Sequence, residues 1–338
     1  MVVHRAEDVD PLIPVDMDDS PLLPSPTAAA CCTPTAHPPS IDAPSPLVGS
    51  YVTVAHTKPV GELDPNPQHL QLPMSFTERV RPLLRQFECY VALPQGSEPA
   101  RGIILVVHDI FGLRTGRHAS ICDELSRNGF VAACPDLFGD DAARATALNP
   151  GWPIMTLSNI CHIIRRIRWM KKALKLPWEE TAPMLRATLA HCVSVHGRPL
   201  TSCGAVGFCW GASAVARLLS DSEAATLPLQ IVGGIGFHPS LRGAEGKTLV
   251  ANVNRPLLLA PAGDDPAAVQ PGGELGQSLI GRFGASSVVC FPEMRHGWMT
   301  RGPLSDSAIA RDYSLGMKLL VEWFGPYPAL AVMPGVEM

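Results

Sequence analysis

Short apolar runs alternate with longer amphipathic segments along the chain from residue 87 onward. A short apolar run predicts a strand, whereas apolar positions three and four residues apart predict a helix. We predict strands at residues 87–93, 103–107, 130–134, 205–208, 231–237, 256–260 and 287–291. Helices are predicted at residues 117–128, 157–170, 181–195, 213–219 and 305–324. This alternation predicts an α/β fold: a doubly wound, mostly parallel sheet with helices on both faces.

The first part of the chain has a different composition. Residues 1–75 are rich in proline and carry little periodic apolar pattern, so we predict an irregular N-terminal tail. One α/β domain is then expected over residues 76–328, followed by a C-terminal tail at 329–338. Within the N-terminal tail, Cys31 and Cys32 precede His37. Adjacent cysteines do not have the spacing of zinc ligands, so we predict no metal site there.

Composition narrows the class of protein. The chain carries a net charge of -4, a pI of about 6.2 and 46% hydrophobic residues. These values argue against partners such as nucleic acid or an anionic membrane and allow a sizeable core. No apolar run reaches the roughly 18 residues that a membrane-spanning helix needs. The acidic N-terminus lacks the pattern of a signal or transit peptide, so we expect a cytoplasmic protein. We also expect a monomer with reduced, buried cysteines.

One stretch organises the candidate chemistry. Gly207, Cys209 and Gly211 form the pattern Gly-x-Cys-x-Gly between a predicted strand and a predicted helix. This is the spacing of a nucleophile elbow with cysteine in place of serine. The turn strains the central residue, and the helix N-terminus that follows lowers a thiol pKa and binds an oxyanion. The alternative interpretation is a buried cysteine in a glycine-rich turn.

A thiol nucleophile needs a base, and the base needs an acid that orients it. Asp264 and Asp265 follow the predicted strand at 256–260, and His296 follows the predicted strand at 287–291. The order nucleophile, acid, base, each after a strand, is that of a hydrolase triad. We therefore predict Cys209 as nucleophile and His296 as base. Both aspartates remain candidates for the acid.

Four motifs together resemble the dienelactone hydrolase family, with a closer similarity to its eukaryotic carboxymethylenebutenolidase-like members. The motifs lie at residues 107–113, 128–138, 207–211 and 296–301. The resemblance covers residues 87–324. It implies an α/β-hydrolase fold, no metal or other cofactor, and hydrolysis of a small-molecule lactone or ester by a Cys-Asp-His triad. It also favours Asp265 over Asp264, because the family's acid lies a few residues before a proline.

The resemblance implies further roles, residue by residue. Backbone amides of Ile110 and Trp210 would form the oxyanion hole. Asp109, where the bacterial enzymes have Glu, would contact the nucleophile and gate it while no substrate is bound; alternatively it only caps its loop. Arg301 and Trp298 would bind substrate at the mouth of the site; alternatively Arg301 is a surface arginine. Trp298 replaces a residue that is often Phe in the family.

Two other functions remain open. The first is a thioesterase or acyltransferase on the same fold, which would need a route for a larger acceptor. The second is a non-catalytic binding protein, although such a protein has no need of a cysteine, an aspartate and a histidine in this order. The basic face of the predicted helix at 157–170 is interpreted as solvated rather than as a ligand patch.

Overall fold

The computed structural model describes residues 47–57, 84–96, 98–139, 176–196, 200–284 and 287–325. Seven strands in this part of the chain form one sheet, in the order β1-β2-β4-β3-β5-β6-β7. The strands are β1 (Ser50–Thr57), β2 (Leu84–Ala92), β3 (Ile103–Val107), β4 (Val131–Pro135), β5 (Ser202–Phe208), β6 (Gln230–Phe237) and β7 (Leu257–Ala260). Strands β3 to β7 are parallel, whereas β2 is antiparallel to both β1 and β4.

The predicted helices that fall within the described residues are confirmed, with ends shifted by a few positions. The helices are α1 (His118–Arg127), α2 (Trp178–His196), α3 (Trp210–Leu218), α4 (Asp221–Ala224), α5 (Gly243–Ala251), α6 (Glu274–Phe283), α7 (Trp298–Arg301) and α8 (Ser307–Phe324). The helix predicted at 157–170 lies outside the described residues, as do Cys31, Cys32 and His37.

The sheet separates two hydrophobic cores. Along β3, Ile103 and Leu105 point into one core and Ile104 and Val106 into the other, and all four are buried. Helices α2, α3, α5 and α6 cover the first face, and α1, α7 and α8 cover the second. A strand that is buried on both faces has no polar face to alternate with, which explains the continuous apolar runs in the sequence. The prediction of helices on both faces is confirmed.

The sheet has a topological switch point at β3. Strand β4 lies on one side of β3 and β5 on the other, so the connections from β3 and β5 leave toward opposite sides. In open α/β sheets, ligands bind in the crevice at the carboxyl ends of the strands next to such a point. Val107, the last residue of β3, pairs with Gly207 of β5. The loop after β3 and the Gly-x-Cys-x-Gly turn therefore lie side by side.

Strand β1 corrects the prediction of an irregular tail over residues 1–75. Residues 50–57 pair with β2 along their whole length, from Ser50 opposite Val91 to Thr57 opposite Leu84. The backbone amides of Val48 and Gly49 donate to the buried carboxylate of Asp123, at 2.9 Å each. This carboxylate fixes the chain at the entry to β1. Residues 1–46 and 58–83 lie outside the described part of the chain.

The strand predicted at 287–291 is reduced to two isolated bridges beside β7. Val288 pairs with Leu259, and Phe291 pairs with Ala262. Phe291 donates its amide to the carbonyl of Pro261 at 2.8 Å, but Pro261 has no N–H to donate in return. Proline therefore interrupts the ladder between these two segments. The residues that follow this segment still lie at the carboxyl edge of the sheet.

Candidate active site

Cys209 lies in the sharp turn between β5 and α3, with φ of 55° and ψ of -112°. A positive φ is uncommon for a residue other than glycine and must be held by its surroundings. Its backbone amide donates to the carbonyl of Phe237 at 3.1 Å. Its own carbonyl accepts from the amides of Ala212 (3.2 Å) and Ser240 (3.1 Å). The first turn of α3 and the residues at the end of β6 thus hold the strained backbone from both sides.

The two glycines of the motif allow helix α3 to pack directly on the strands. A Cβ on Gly207 would overlap the carbonyl oxygen of Gly211, and one on Gly211 would overlap that of Val107. Because these obstacles are backbone atoms, no side-chain rearrangement can make room for a larger residue. Helix α3 begins at Trp210, so its N-terminal N–H groups lie next to Cys209. The elbow interpretation is therefore supported by its local geometry.

His296 and Asp265 form a direct pair. The Nδ1 atom of His296 lies 2.5 Å from Oδ1 of Asp265, and both side chains are buried. The other oxygen of Asp265 accepts the backbone amide of Ala262 at 2.7 Å. Asp264 contacts the backbone of His296, since its Oδ1 accepts the His296 amide at 2.6 Å. Of the two candidate acids, Asp265 is the one whose carboxylate contacts the imidazole ring, whereas the Asp264 carboxylate contacts the backbone of the loop that carries it.

His296 also interacts with the side chain of Cys209. Burial lowers the pKa of the imidazole, but the charge of the Cys209 thiolate and the contact with Asp265 outweigh burial and raise it. A raised imidazole pKa beside a thiol favours the thiolate–imidazolium ion pair. The structure thus brings together Cys209, His296 and Asp265 from the loops after β5, after residues 287–291 and after β7. This arrangement can supply a charged sulfur nucleophile and a proton donor beside it.

Asp109 and Arg301 form a fully buried ion pair. The Nη1 atom of Arg301 lies 2.5 Å from Oδ2 of Asp109, and the guanidinium lies over the ring of Phe111 at 4.5 Å. Thr300 Oγ1 donates to the same oxygen at 3.1 Å. Burial alone would raise the pKa of Asp109, but the charges of Arg301 and His118 outweigh burial and lower it. The pair ties the loop after β3 to helix α7.

This pairing differs from both roles that the resemblance implied. Asp109 contacts Arg301, Thr300, the Phe111 amide and His118, and Cys209 is not among its partners in the described structure. Arg301 is fully buried, as are Cys209 and His296, but its guanidinium is held by the Asp109 carboxylate, so in this structure it does not line the mouth of the site. Sequence spacing placed both residues at the correct edge of the sheet. It could not show that their opposite charges pair with each other in a buried site.

Trp298 is also not at the mouth of the site. Its side chain is completely buried, with its ring 4.6 Å from that of Phe291 and 6.0 Å from that of Phe237. Gly316 of α8 leaves room for the indole, because a Cβ there would lie 2.9 Å from it. Trp298 therefore packs α7 against α8 and the sheet. Its position corresponds to a core residue rather than to a surface that receives substrate.

The two predicted oxyanion amides belong to residues at the same edge. Trp210 is the first residue of α3 and directly follows Cys209. Ile110 lies in the loop after β3, next to the elbow because Val107 pairs with Gly207, and its side chain is fully buried. The imidazole of His108 braces this loop, since its Nδ1 lies 2.7 Å from the Asp109 carbonyl and its Nε2 accepts the Leu137 amide at 3.0 Å.

Two residues at the site were missed by sequence reasoning. Ser240 Oγ lies 3.2 Å from Sγ of Cys209, and the His238 ring lies 4.9 Å from the His296 ring. Both follow β6, which is the strand next to the elbow strand. The signal that could have found them is their place directly after a predicted parallel strand, at the edge where such sheets bind ligands.

No group of three or more His, Cys, Asp or Glu side chains in the described residues is arranged to hold a metal ion. In the same part of the chain, none of the helices combines the length and the apolar character that crossing a membrane requires.

The doubly wound, mostly parallel sheet and the strand–turn–helix with its Gly-x-Cys-x-Gly sequence at the carboxyl edge define an α/β-hydrolase fold. The sequence profile of the dienelactone hydrolase family matches residues 87–328. The chain therefore belongs to the dienelactone hydrolase family, as its motifs predicted, and the family is one of hydrolases of the esterase type.

Individual relatives agree with this assignment. An AIM2 family protein of Schizosaccharomyces pombe is 28% identical over 230 residues, which are 68% of this chain and 84% of the relative. A protein of Salmonella typhi named for carboxymethylenebutenolidase activity is 24% identical over 246 residues, 70% of this chain and 82% of its own. Among solved structures, the acylaminoacyl peptidase of Pyrococcus horikoshii matches with a TM-score of 0.50 at 12% identity, covering 86% of this chain and 43% of the peptidase. At that identity the likeness shows the fold alone.

Proposed function

We propose that the protein hydrolyses a lactone or small carboxylic ester through a cysteine nucleophile and an acyl-enzyme. The observation that carries the proposal is one imidazole that is hydrogen-bonded to a carboxylate and interacts electrostatically with a cysteine side chain. His296 is held by Asp265 through Nδ1 and interacts with the Cys209 side chain, and Cys209 stands on a strained elbow. A structural cysteine needs neither the strain nor the buried imidazole–carboxylate pair.

In the proposed first step, the Cys209 thiolate attacks the carbonyl carbon of the substrate. The new S–C bond moves the negative charge to the carbonyl oxygen, where the backbone amides of Trp210 and Ile110 would bind it. The C–O bond of the ester then breaks as the His296 imidazolium gives its proton to the departing oxygen. The product of this step is a thioester on Cys209, with the alcohol released or, for a lactone, retained in the same acyl chain.

In the second step, neutral His296 takes a proton from a water molecule, and the oxygen of that water attacks the thioester carbonyl. The C–S bond breaks, the carboxylic acid is released and Cys209 leaves as a thiolate. His296 keeps the proton that it took from water, so the thiolate–imidazolium pair is restored. Asp265 holds the imidazole in one orientation and stabilises its charged form throughout.

The proposal is tested by turnover of a panel of chromogenic short-chain esters and small lactones. We expect Cys209→Ala and His296→Ala each to lower kcat/KM by about 10³-fold or more, and the double variant to be scarcely worse, since the two act as one unit. The matched control is Cys290→Ala, because Cys290 is a partly exposed cysteine whose Sγ donates to Gln270.

Acid quenching during turnover followed by peptide mass spectrometry should find the acyl group on Cys209. Undiminished turnover by Cys209→Ala would reject the cysteine mechanism. A protein that binds the esters but turns none over would favour the non-catalytic alternative.

A further inference from the structure

The turn from His238 to Ser240 follows β6 and lies against the elbow. Phe237, the last residue of β6, accepts the Cys209 amide, and Ser240 donates its own amide to the Cys209 carbonyl, each at 3.1 Å. Between these two anchored residues, His238 and Pro239 connect Phe237 to Ser240. His238 does so with a positive φ of 35°, which is uncommon for a residue with a side chain. Local strain of this kind is kept where the surrounding structure requires it, and here it places Ser240 beside the nucleophile.

The Ser240 hydroxyl is directly hydrogen-bonded to the nucleophile. Its Oγ lies 3.2 Å from Sγ of Cys209, although the two residues are 31 positions apart in the chain. A hydroxyl can donate or accept, but a thiolate has no proton and can only accept. When Cys209 is charged, the hydrogen of this bond must therefore come from Ser240. A hydrogen bond to a charged acceptor is about twice as strong as a neutral one.

His238 lies in the same turn as Ser240, and its ring packs against that of His296. The two rings are 4.9 Å apart and inclined at 69°, and His238 is completely buried. Burial lowers the pKa of His238 well below its usual value, and the positive charges of His296 and Arg301 lower it further. His238 is therefore neutral and does not compete with His296 for the proton of Cys209.

We propose that Ser240 is a positioning residue that donates its hydroxyl hydrogen to the Cys209 thiolate and fixes the sulfur beside His296. This inference rests on the proposed function and deepens it. The bond stabilises the thiolate in the resting protein. When the sulfur electron pair forms the S–C bond, the charge moves to the substrate oxygen and Ser240 loses its charged acceptor. The bond forms again when hydrolysis of the thioester restores the thiolate.

Several charged or titratable groups face this ion pair. Asp265 contacts His296 from the loop after β7, and Asp264 lies beside it. His238 faces His296 from the turn after β6, and the Arg301–Asp109 pair lies within electrostatic reach of His238. The contribution of Ser240 can therefore be isolated only by changing its hydroxyl while these groups stay in place.

Comparing Ser240→Thr with Ser240→Val isolates the effect of the hydroxyl, because threonine and valine side chains have the same shape and only threonine carries a hydroxyl. The rate of Cys209 alkylation by iodoacetamide is measured against pH by peptide mapping, without need of turnover. We expect the apparent pKa of the Cys209 thiol in Ser240→Thr to match its value in the protein that carries Ser240. In Ser240→Val and Ser240→Ala it should rise by about one unit, as expected for a lost hydrogen bond to a charged group.

Hydrolysis measured on the same variants completes the test. The Val and Ala variants should lose kcat/KM by about tenfold at neutral pH and recover part of it at higher pH, where more thiolate forms. The control Ser314→Ala, at an exposed position of α8, should change neither measurement. Identical alkylation profiles for Ser240→Thr and Ser240→Val, each shown to be folded by circular dichroism, would overturn the role of Ser240. Retained hydrolysis in Cys209→Ala would instead overturn the proposed function, and the two failures are distinguishable.

Discussion

Arg301 donates to the carboxylate of Asp109 over 2.5 Å, and neither side chain is exposed to solvent. Arg301 is the last residue of α7 and lies five residues after His296 in the chain. Asp109 belongs to the loop after β3. The ion pair therefore sets the position of the His296 loop relative to the sheet. Arg117 reinforces this link, since its guanidinium donates to the carbonyl of Trp298 at 2.9 Å.

Breaking this ion pair should destabilise the whole domain. In Arg301→Met, Asp109 remains buried with no cation beside it, which costs on the order of 3–5 kcal/mol in the free energy of unfolding. Urea denaturation measures this loss. The control Lys247→Met removes an exposed ammonium that pairs with exposed Glu274 on the surface, and it should cost less than about 1 kcal/mol. Equal losses in the two variants would contradict the structural role of the buried pair.

The two neighbouring aspartates should respond differently to the same substitution. Asp265→Asn replaces the carboxylate that contacts Nδ1 of His296 and favours the wrong tautomer, so kcat/KM should fall by about 10³-fold or more. Asp264→Asn keeps a carbonyl oxygen that can accept the His296 amide, so kcat/KM should change only a few-fold. Ester hydrolysis by the two variants at neutral pH measures the difference. A larger loss in Asp264→Asn would reverse the assignment of the acid.

The sequence predicted the centre of the sheet well because burial on both faces leaves a simple signature. Strand β3 reads as an unbroken apolar run, and the structure places it between β4 and β5. Edge positions were harder to predict. Among residues 50–56 of β1, whose burial the structure describes, only Val54 is buried, so most of that strand resembles a polar loop. Its β-branched and aromatic content, from Tyr51 to Val54, was the available signal, and the proline-rich surroundings obscured it.

At the site, chain order predicted which residues gather at one edge but not how they pair. Cys209 and Asp265 each follow a strand, and His296 follows the segment at 287–291 that is bridged in parallel to β7 and the residues after it. Parallel segments end together, so the meeting of these three residues follows from topology. The choice between Asp264 and Asp265 depended on loop geometry at the scale of a single residue. The Asp109–Arg301 ion pair depended on which groups are buried together. The periodicity of apolar positions predicts neither which aspartate meets His296 nor which buried charges pair.

His118 should make stability depend on pH. Burial lowers its pKa to about 4, with Asp109 opposing that shift and His108 and Arg301 adding to it. An unfolded histidine has a pKa of about 6.5, so between these values the unfolded chain binds more protons. Stability therefore falls as pH decreases from about 6.5 to about 4, and His118 accounts for about 3 kcal/mol of that loss.

Chemical denaturation at a series of pH values measures this slope. His118→Gln keeps an acceptor for the Asp109 amide, which the His118 Nε2 accepts at 3.3 Å, but removes the titration. It should therefore flatten the slope between pH 4 and 6.5. The matched control His191→Gln changes a partly exposed histidine on α2. The explanation fails if His118→Gln and His191→Gln give the same slope.

Asp123 should control the docking of β1. Its carboxylate accepts the Tyr90 hydroxyl at 2.6 Å and the amides of Val48 and Gly49. Asp123→Ala leaves these donors without that acceptor, so we expect a loss of about 3 kcal/mol and faster amide exchange in β1. The control is Asp221→Ala, which changes an exposed aspartate.

Deletion of residues 1–57 should lower the melting temperature, because it removes β1 from the sheet. An unchanged melting temperature would show that β1 contributes nothing to the stability of the domain.

The final prediction concerns the elbow glycine. Gly207→Ala would push a methyl group into the carbonyl of Gly211, so α3 and β5 must separate or the variant must lose the elbow. We expect the melting temperature to fall by at least several degrees. We also expect iodoacetamide to lose its preference for Cys209 over the other cysteines, because the sulfur is no longer held beside His296. The matched control is Gly281→Ala in α6, where a Cβ meets nothing within 4 Å and alanine favours the helix by up to about 1 kcal/mol. Gly281→Ala should therefore melt at the same temperature or higher. If Gly207→Ala melted like Gly281→Ala and kept its hydrolytic rate, close packing of α3 on β5 would not be what holds the nucleophile in place.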